Sequence, residues 1–177
     1  MGMVRTFAAV ALVAVTAAAP LNAKPRLSSI RGQAVAGLAA VDPALTTALA
    51  RINELRRQAG AAPLVLNSRL SAAAQAHADD MAAKGYFAHN SQDGRTPAQR
   101  ITAAGYSFTS WGENIAWGYA DWNAALTGWM GSAGHRANLL DTSFSEVGLG
   151  VKSRIYVTDF AAPRGGSSTP PPSCPAS

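Results

Sequence analysis

Apolar residues recur every three to four positions along two long stretches of the chain and alternate with glycine in a third. In the first stretch Leu45, Leu49, Ile52 and Leu55 keep helical spacing, and Arg51, Glu54, Arg56 and Arg57 are expected on the wet side. Asp42-Pro43 supplies a cap followed by proline at the first helical position, and Gly60 supplies the stop. The second stretch predicts a helix from Ser68 to Lys84, ended by Gly85, with Leu70, Ala73, Ala74, His77 and Met81 on one stripe. Its many alanines imply close packing against a neighbouring layer. Thr96-Pro97 opens a short helix to Ala104 that Gly105 ends. Another begins at Asp121 or Trp122 and reaches about Met130, and His135 to Leu140 adds one or two turns. Trp111 to Tyr119, punctuated by glycine, reads as irregular. Two strands close the pattern, one through Val147, Leu149 and Val151 and one from Ile155 to Phe160, with a hairpin turn at Lys152-Ser153-Arg154. Gly148 and Gly150 leave one face of the first strand bare, so something approaches it closely, most simply a helix. Helices first and sequential strands last predict an α+β fold, an antiparallel sheet covered by helices, over a doubly wound parallel sheet.

Both ends of the chain break this pattern. Arg5, the apolar run Phe7 to Ala19 and the small residues Ala17, Ala18, Ala19 and Ala23 read as an export signal over residues 1–23, removed on secretion. The run is shorter than the roughly 20 residues that span a bilayer. Residues 24–41 read as a loose leader, 42–163 as the folded domain and 164–177, rich in Gly, Ser, Thr and Pro, as a disordered tail. The expected mature protein is secreted, extracellular or periplasmic, with no transmembrane segment. Composition narrows the partners. The 177 residues carry 15 basic and 10 acidic side chains, and the signal removes only Arg5, which leaves a scattered net charge of +4. Without a basic cluster interleaved with aromatics, the electrostatic footprint of a nucleic-acid binder is missing. Cys174 is the single cysteine, so no intramolecular disulfide forms, and it reads as an incidental exposed thiol.

Candidate chemistry concentrates between Phe87 and Val151. His89, Glu113 and His135 offer two imidazoles and a carboxylate, which with an open fourth position form a recognised catalytic zinc arrangement. No H-E-x-x-H run is present, so three separate segments would have to converge. Each residue also has a plain alternative: a loop histidine at the surface, or a glutamate pinning backbone N–H groups. His77, on the packed stripe, reads as a core imidazole. Ser132, three residues before His135, is either the nucleophile of a Ser/His pair or the cap of the turn carrying His135, and the cap is the stronger reading. Asn114 and Asn138 read as hydrogen bonders that fix loops. The four tryptophans read as core and cleft wall; a sugar-stacking platform requires them exposed.

Taken in order, His89-x-Ser91, Gly112-Glu113-Asn114-Ile115-Ala116, Trp129-x-x-Ser132-x-Gly134-His135-Arg136-x-Asn138 and Glu146-Val147-Gly148-x-Gly150-Val151 resemble the bacterial branch of the CAP superfamily. This is the group of cysteine-rich secretory proteins, antigen 5 and pathogenesis-related proteins, also called the SCP domain. Asn53-x-x-Arg56, Ala78-x-x-Met81 and Asp93-Gly94-Arg95-Thr96-Pro97 extend the likeness over roughly Leu45 to Phe160. The resemblance implies an α-β-α sandwich with a central antiparallel sheet. It also implies a cleft lined by two histidines and two acids, which in several members holds zinc or another divalent ion. His89, Glu113 and His135 match three of those positions. The fourth falls on Ser132; Glu146 could reach the cleft instead, but a strand-end acid is more often simply solvated. Family activities are diverse, so fold follows more securely than function. The expectation is an envelope-facing protein that binds a lipid, wall fragment, peptide or other small molecule through His89, Glu113, Asn114, Ser132 and His135. A zinc or other divalent cation would sit on His89, His135 and Glu113. The alternatives are a metal-assisted peptidase or esterase with Glu113 as catalytic base, and a non-catalytic interaction module of the cell wall.

Overall fold

The computed structural model describes residues 42–165. The expected signal at 1–23, the leader to residue 41, the tail from residue 166 and Cys174 lie outside the described residues. Helix α1 (Pro43–Gln58) opens where Asp42 accepts the Ala44 N–H at 2.8 Å. After the two-residue strand β1 (Val65–Leu66), Asn67 caps α2 (Ser68–Lys84), which stops at left-handed Gly85. Thr96 and Gln99 form a capping box on α3 (Pro97–Ala103). Strand β2 (Phe108–Trp117), helices α4 (Trp122–Gly131) and α5 (Ala133–Leu140), and strands β3 (Glu146–Lys152) and β4 (Ile155–Pro163) complete the order.

The sheet runs β1-β3-β4-β2. β4 pairs antiparallel with both β3 and β2, and β1 runs parallel to β3. The expected antiparallel sheet is therefore mixed, through one short strand. One face carries α1, α4 and α5 around Ile52, Leu126, Trp129, Leu139, Val147 and Phe160. The other carries α2 and α3, with Ala74, Ala78 and Met81 against Ile115 and Val157, and Leu70 and Ile101 against Ala161. The fold is α+β, helices over both faces. The bare face of β3 meets a helix, as its glycines require. A Cβ on Gly148 would lie 2.0 Å from the Leu70 carbonyl carbon, and one on Gly150 would lie 2.3 Å from the Gln75 nitrogen. Ser153 and Arg154, at φ 49° and 63°, make the two-residue turn between β3 and β4, a geometry that matches the twist of the paired strands.

Two expectations are corrected. The segment from Trp111, read as irregular, is strand as far as Trp117, because β4 offers it a continuous ladder from Ser110↔Ala162 to Trp117↔Ile155. Gly112 marks close packing there, not a break: a Cβ would stand 3.1 Å from the Phe144 ring. Arg56, assigned to the wet side of α1, is fully buried. Its guanidinium donates to the carbonyls of Ala62 (2.7 Å), Leu139 (2.9 Å) and Asp141 (2.9 Å), so it ties α1 to the end of α5. Charge-assisted bonds to otherwise unmet carbonyls offset the cost of burying the cation.

Candidate functional site

The loop after α2 carries His89, and His77 holds that loop in place. Buried on the helix stripe, His77 Nε2 donates to the Ala88 carbonyl at 2.9 Å. Burial, and after it the charge of Arg100, keep the His77 imidazole below its usual pKa and so neutral. One residue on, His89 Nδ1 meets Glu113 Oε1 at 2.7 Å. The His89 side chain is 52% exposed and that of Glu113 only 1%. The carboxylate accepts, so Nδ1 carries the hydrogen. Strand β2 places Glu113 on the α2 face of the sheet, where its second oxygen accepts from Arg100 Nη2 at 2.5 Å. Arg100, buried on α3, also donates to Ser91 Oγ (3.3 Å) and the Arg95 carbonyl (3.2 Å).

Across the strands Glu113 is in register with Asp159. Asp159 is buried, and neither of its oxygens has a hydrogen-bond partner among the described residues. Burial, then the charge of Glu113, pushes its carboxyl well above the usual carboxylate range. A neutral acid is the form such surroundings select. His77, Arg100 and Asp159 thus form a buried polar floor beneath Glu113. Sequence reading did not find Arg100 or Asp159. The usable signals were Arg100 on the inner side of a short helix and Asp159 inside a strand of apolar residues.

His135 lies on α5. Ser132 occupies the N-cap position but makes no capping bond; its hydroxyl meets His135 Nδ1 at 3.0 Å instead. The expected cap is corrected on that point: the imidazole competes successfully for the hydroxyl. Burial, then the charge of His89, lowers the His135 pKa. Asn114, expected among the ligand-binding residues, is fully buried. It points to the opposite face from Glu113 because strand residues alternate. It donates to the His135 carbonyl at 3.0 Å and accepts from Asn138 at 2.9 Å, and Asn138 also donates to the Glu113 carbonyl. These asparagines lock α5 onto β2. Glu146 does not stand in for a fourth acid in the cleft. It is buried and accepts from Asn67 (2.9 Å) and Tyr106 (2.7 Å).

A cavity of about 470 Å³ opens over His89, Asn90, Thr96, Trp111, Glu113 and Asn138. Trp111 is 40% exposed at its wall. Trp122 and Trp129 are core, while Trp117 pairs with Phe87 at a separate hollow of about 330 Å³. Among the described residues no three His, Cys, Asp or Glu side chains are grouped to hold a metal ion. Both Glu113 oxygens face a hydrogen-bond donor, one a guanidinium; as folded, the expected three-residue ligand set for a divalent cation is not assembled. The outward group is the His89 imidazole, with Glu113 behind it.

The family model for CAP, the cysteine-rich secretory protein family, matches residues 49–155. The chain is 34% identical over 108 residues to the uncharacterized membrane protein YlbC of Bacillus subtilis (strain 168), and 37% identical over 98 residues to the uncharacterized protein YkwD of the same organism. Those stretches are 61% and 55% of this chain but 31% and 38% of the relatives, so the chain spans about a third of the length of each. Among solved structures, an extracellular protein containing an SCP domain from Bacillus anthracis str. Ames superposes with a TM-score of 0.65 at 32% identity, over 66% of this chain and 39% of that one. An outer surface protein from Borrelia burgdorferi shares the fold, with a TM-score of 0.64 at 23% identity, over 70% of this chain and 95% of that one. Among the described residues no helix is long and apolar enough to cross a membrane.

Proposed function

This chain belongs to the CAP, cysteine-rich secretory protein family, and from that membership we propose that it is a secreted or envelope-facing domain that binds a ligand in the His89–Glu113 cleft. The observation that carries the reading is a half-exposed imidazole backed by a buried carboxylate and a buried guanidinium. Burying that many ionisable groups is costly, and a purely structural core could be apolar at less cost. The arrangement does fix the tautomer and orientation of His89 at a cavity of ligand-binding size. Candidate ligands are lipids, wall fragments and peptides. An exported location is supported by the extracellular description of the Bacillus anthracis protein, and an envelope association by the membrane-protein description of YlbC.

The test is a ligand panel followed by NMR on the isotope-labelled chain. Binding should shift the resonances of His89, Trp111 and Asn138 and should weaken in His89→Ala. Shifts confined to other surfaces would discard the cleft.

A second reading, hydrolysis, draws support from the His89–Glu113 contact: with Nδ1 donating to Glu113, Nε2 is the ring nitrogen left to act as a base. Glu113 then orients the base and does not itself take the proton. Turnover of a peptide or ester, abolished in His89→Ala and reduced in Glu113→Gln, would favour this reading. Binding without turnover across the panel favours the first.

A further inference from the structure

We infer that the ligand taken by this cleft is a saccharide, stacked on the Trp111 indole and hydrogen-bonded by Asn90, Asn138 and His89. The inference rests on the cleft-binding reading above and names its ligand class. Three observations carry it.

The first is Trp111 itself. It is 40% exposed, whereas the core tryptophans Trp122 and Trp129 are 7% and 2% exposed. Its ring is held rather than loose: Phe108 meets it edge-on, with centroids 6.5 Å apart and planes at 66°. A flat, propped aromatic face beside a cavity is suited to the C–H face of a pyranose ring.

The second is the charge state of the walls. The cleft carboxylate, Glu113, has both oxygens engaged by Arg100 and His89. Its charge is balanced from behind, inside the protein. The other lining groups named above, Asn90, Thr96 and Asn138, are uncharged. A strongly ionic ligand finds no free counter-charge on these groups. A wholly apolar ligand would strip water from amides and an imidazole without replacing their hydrogen bonds. A neutral polyol meets both conditions.

The third is the floor. Asn138 donates to the Glu113 carbonyl and to Asn114, which leaves its Oδ1 to accept. That oxygen lies over Gly112, where a Cβ would approach it to 3.2 Å. Glycine therefore leaves room for that oxygen where Gly112 and Asn138 line the cavity, and the His89 ring supplies a second hydrogen-bonding group. The volume of about 470 Å³ falls within the range of small-molecule sites.

The experiment titrates the full chain with two uncharged sugars, a β-1,4-linked N-acetylglucosamine trimer and maltotriose, and with a charged tetrapeptide and a lysophospholipid below its micellar concentration. Calorimetry and NMR give the readout. At least one sugar should bind and shift Trp111 Nε1 and Asn138. Trp111→Ala should weaken it at least about tenfold, the loss typical of truncating an aromatic anchor. Trp117→Ala, which removes an exposed indole outside the cavity, should leave it unchanged. Sugar binding that survives Trp111→Ala overturns the inference. So does a cleft that answers only to peptide or lipid, although cleft binding then stands. If the sugars and the peptide at about 10 mM, well above the dissociation constant of a weak site, and the lysophospholipid just below its micellar concentration all leave the cleft resonances unshifted, the binding reading falls as well.

Discussion

Replacing Arg100 by Met isolates the contribution of the ion pair behind the cleft. Arg100 Nη2 and Glu113 Oε2 are 2.5 Å apart, with side chains 5% and 1% exposed, so water screens them weakly. At about 4 Å between charge centres and an effective dielectric near 20, their attraction is about 4 kcal/mol. Met keeps much of the arginine stem, so the change is mainly electrostatic. What remains is a buried Glu113 with only His89 as partner and Asp159 alongside. Removing one member of a buried pair costs about 3–5 kcal/mol. For a folded unit of this size that is a fall in Tm of about 11–19 °C. Glu113→Gln alone should cost less, because the amide oxygen still accepts from Arg100. The double variant carries neither charge. Its loss should fall short of the sum of the single losses by at least about 2 kcal/mol. Urea denaturation followed by circular dichroism measures all four proteins, provided the m-values agree. Strict additivity, or an Arg100→Met protein within about 1 kcal/mol of the parent, would refute the coupling.

Asp159→Asn should stabilise the protein increasingly as pH rises. The folded state raises the Asp159 pKa through burial and then through Glu113, whereas the unfolded chain ionises near about 3.9. The native state holds the extra proton, so this group lowers stability progressively above that pH, and Asn removes the effect. Urea melts at pH 4, 6 and 8 should show a widening advantage; a constant or shrinking one contradicts it. Gly148→Ala should cost about 3 kcal/mol or more, since the new methyl falls 2.0 Å from α2 backbone. Gly134→Ala, with open space around it, should stay within about 1 kcal/mol of the parent, and equal losses in the two would rule out close approach as the cause. Calorimetric zinc titration near neutral pH should give no one-to-one isotherm, because no three metal-ligating side chains are grouped among the described residues. A tight isotherm lost in His89→Ala would reverse that reading.

Helices were legible wherever a cap, an apolar stripe and a terminal glycine agreed. α2 runs from Ser68 to Lys84 as its stripe implies, and Gly85 ends it in the left-handed conformation. The glycines of β3 were legible too, because alternation leaves a face that only close backbone can cover. β2 was not. Its glycine and asparagine have low strand preference, and what decides the matter is pairing with β4, more than 35 residues away in the chain. β1 was missed for a similar reason: two residues joining β3 in parallel leave no periodicity to detect. Arg56 shows the complementary limit. An arginine at a helix position adjoining the stripe looks solvated until the carbonyls it caps arrive from a distant segment.

The site was legible in its members and not in its wiring. Motif order brought out His89, Glu113 and His135, and the first two do meet. Sequence cannot rank three polar residues by depth, and depth assigns their roles here. Once β2 is a strand, Trp111, Glu113, Ile115 and Trp117 share one face, with Glu113 and Ile115 between the two exposed indoles. Those two indoles stay wet, whereas the residues from Gly112 to Ala116 are buried. Glu113 is among the buried ones, where a carboxylate needs a cation. The helix that buries it also delivers Arg100, so the charge that a metal ion would otherwise have met is balanced from within the protein. The cleft is left with an oriented imidazole, two amides and an indole. Those four groups, rather than a charge, are what an arriving ligand has to match.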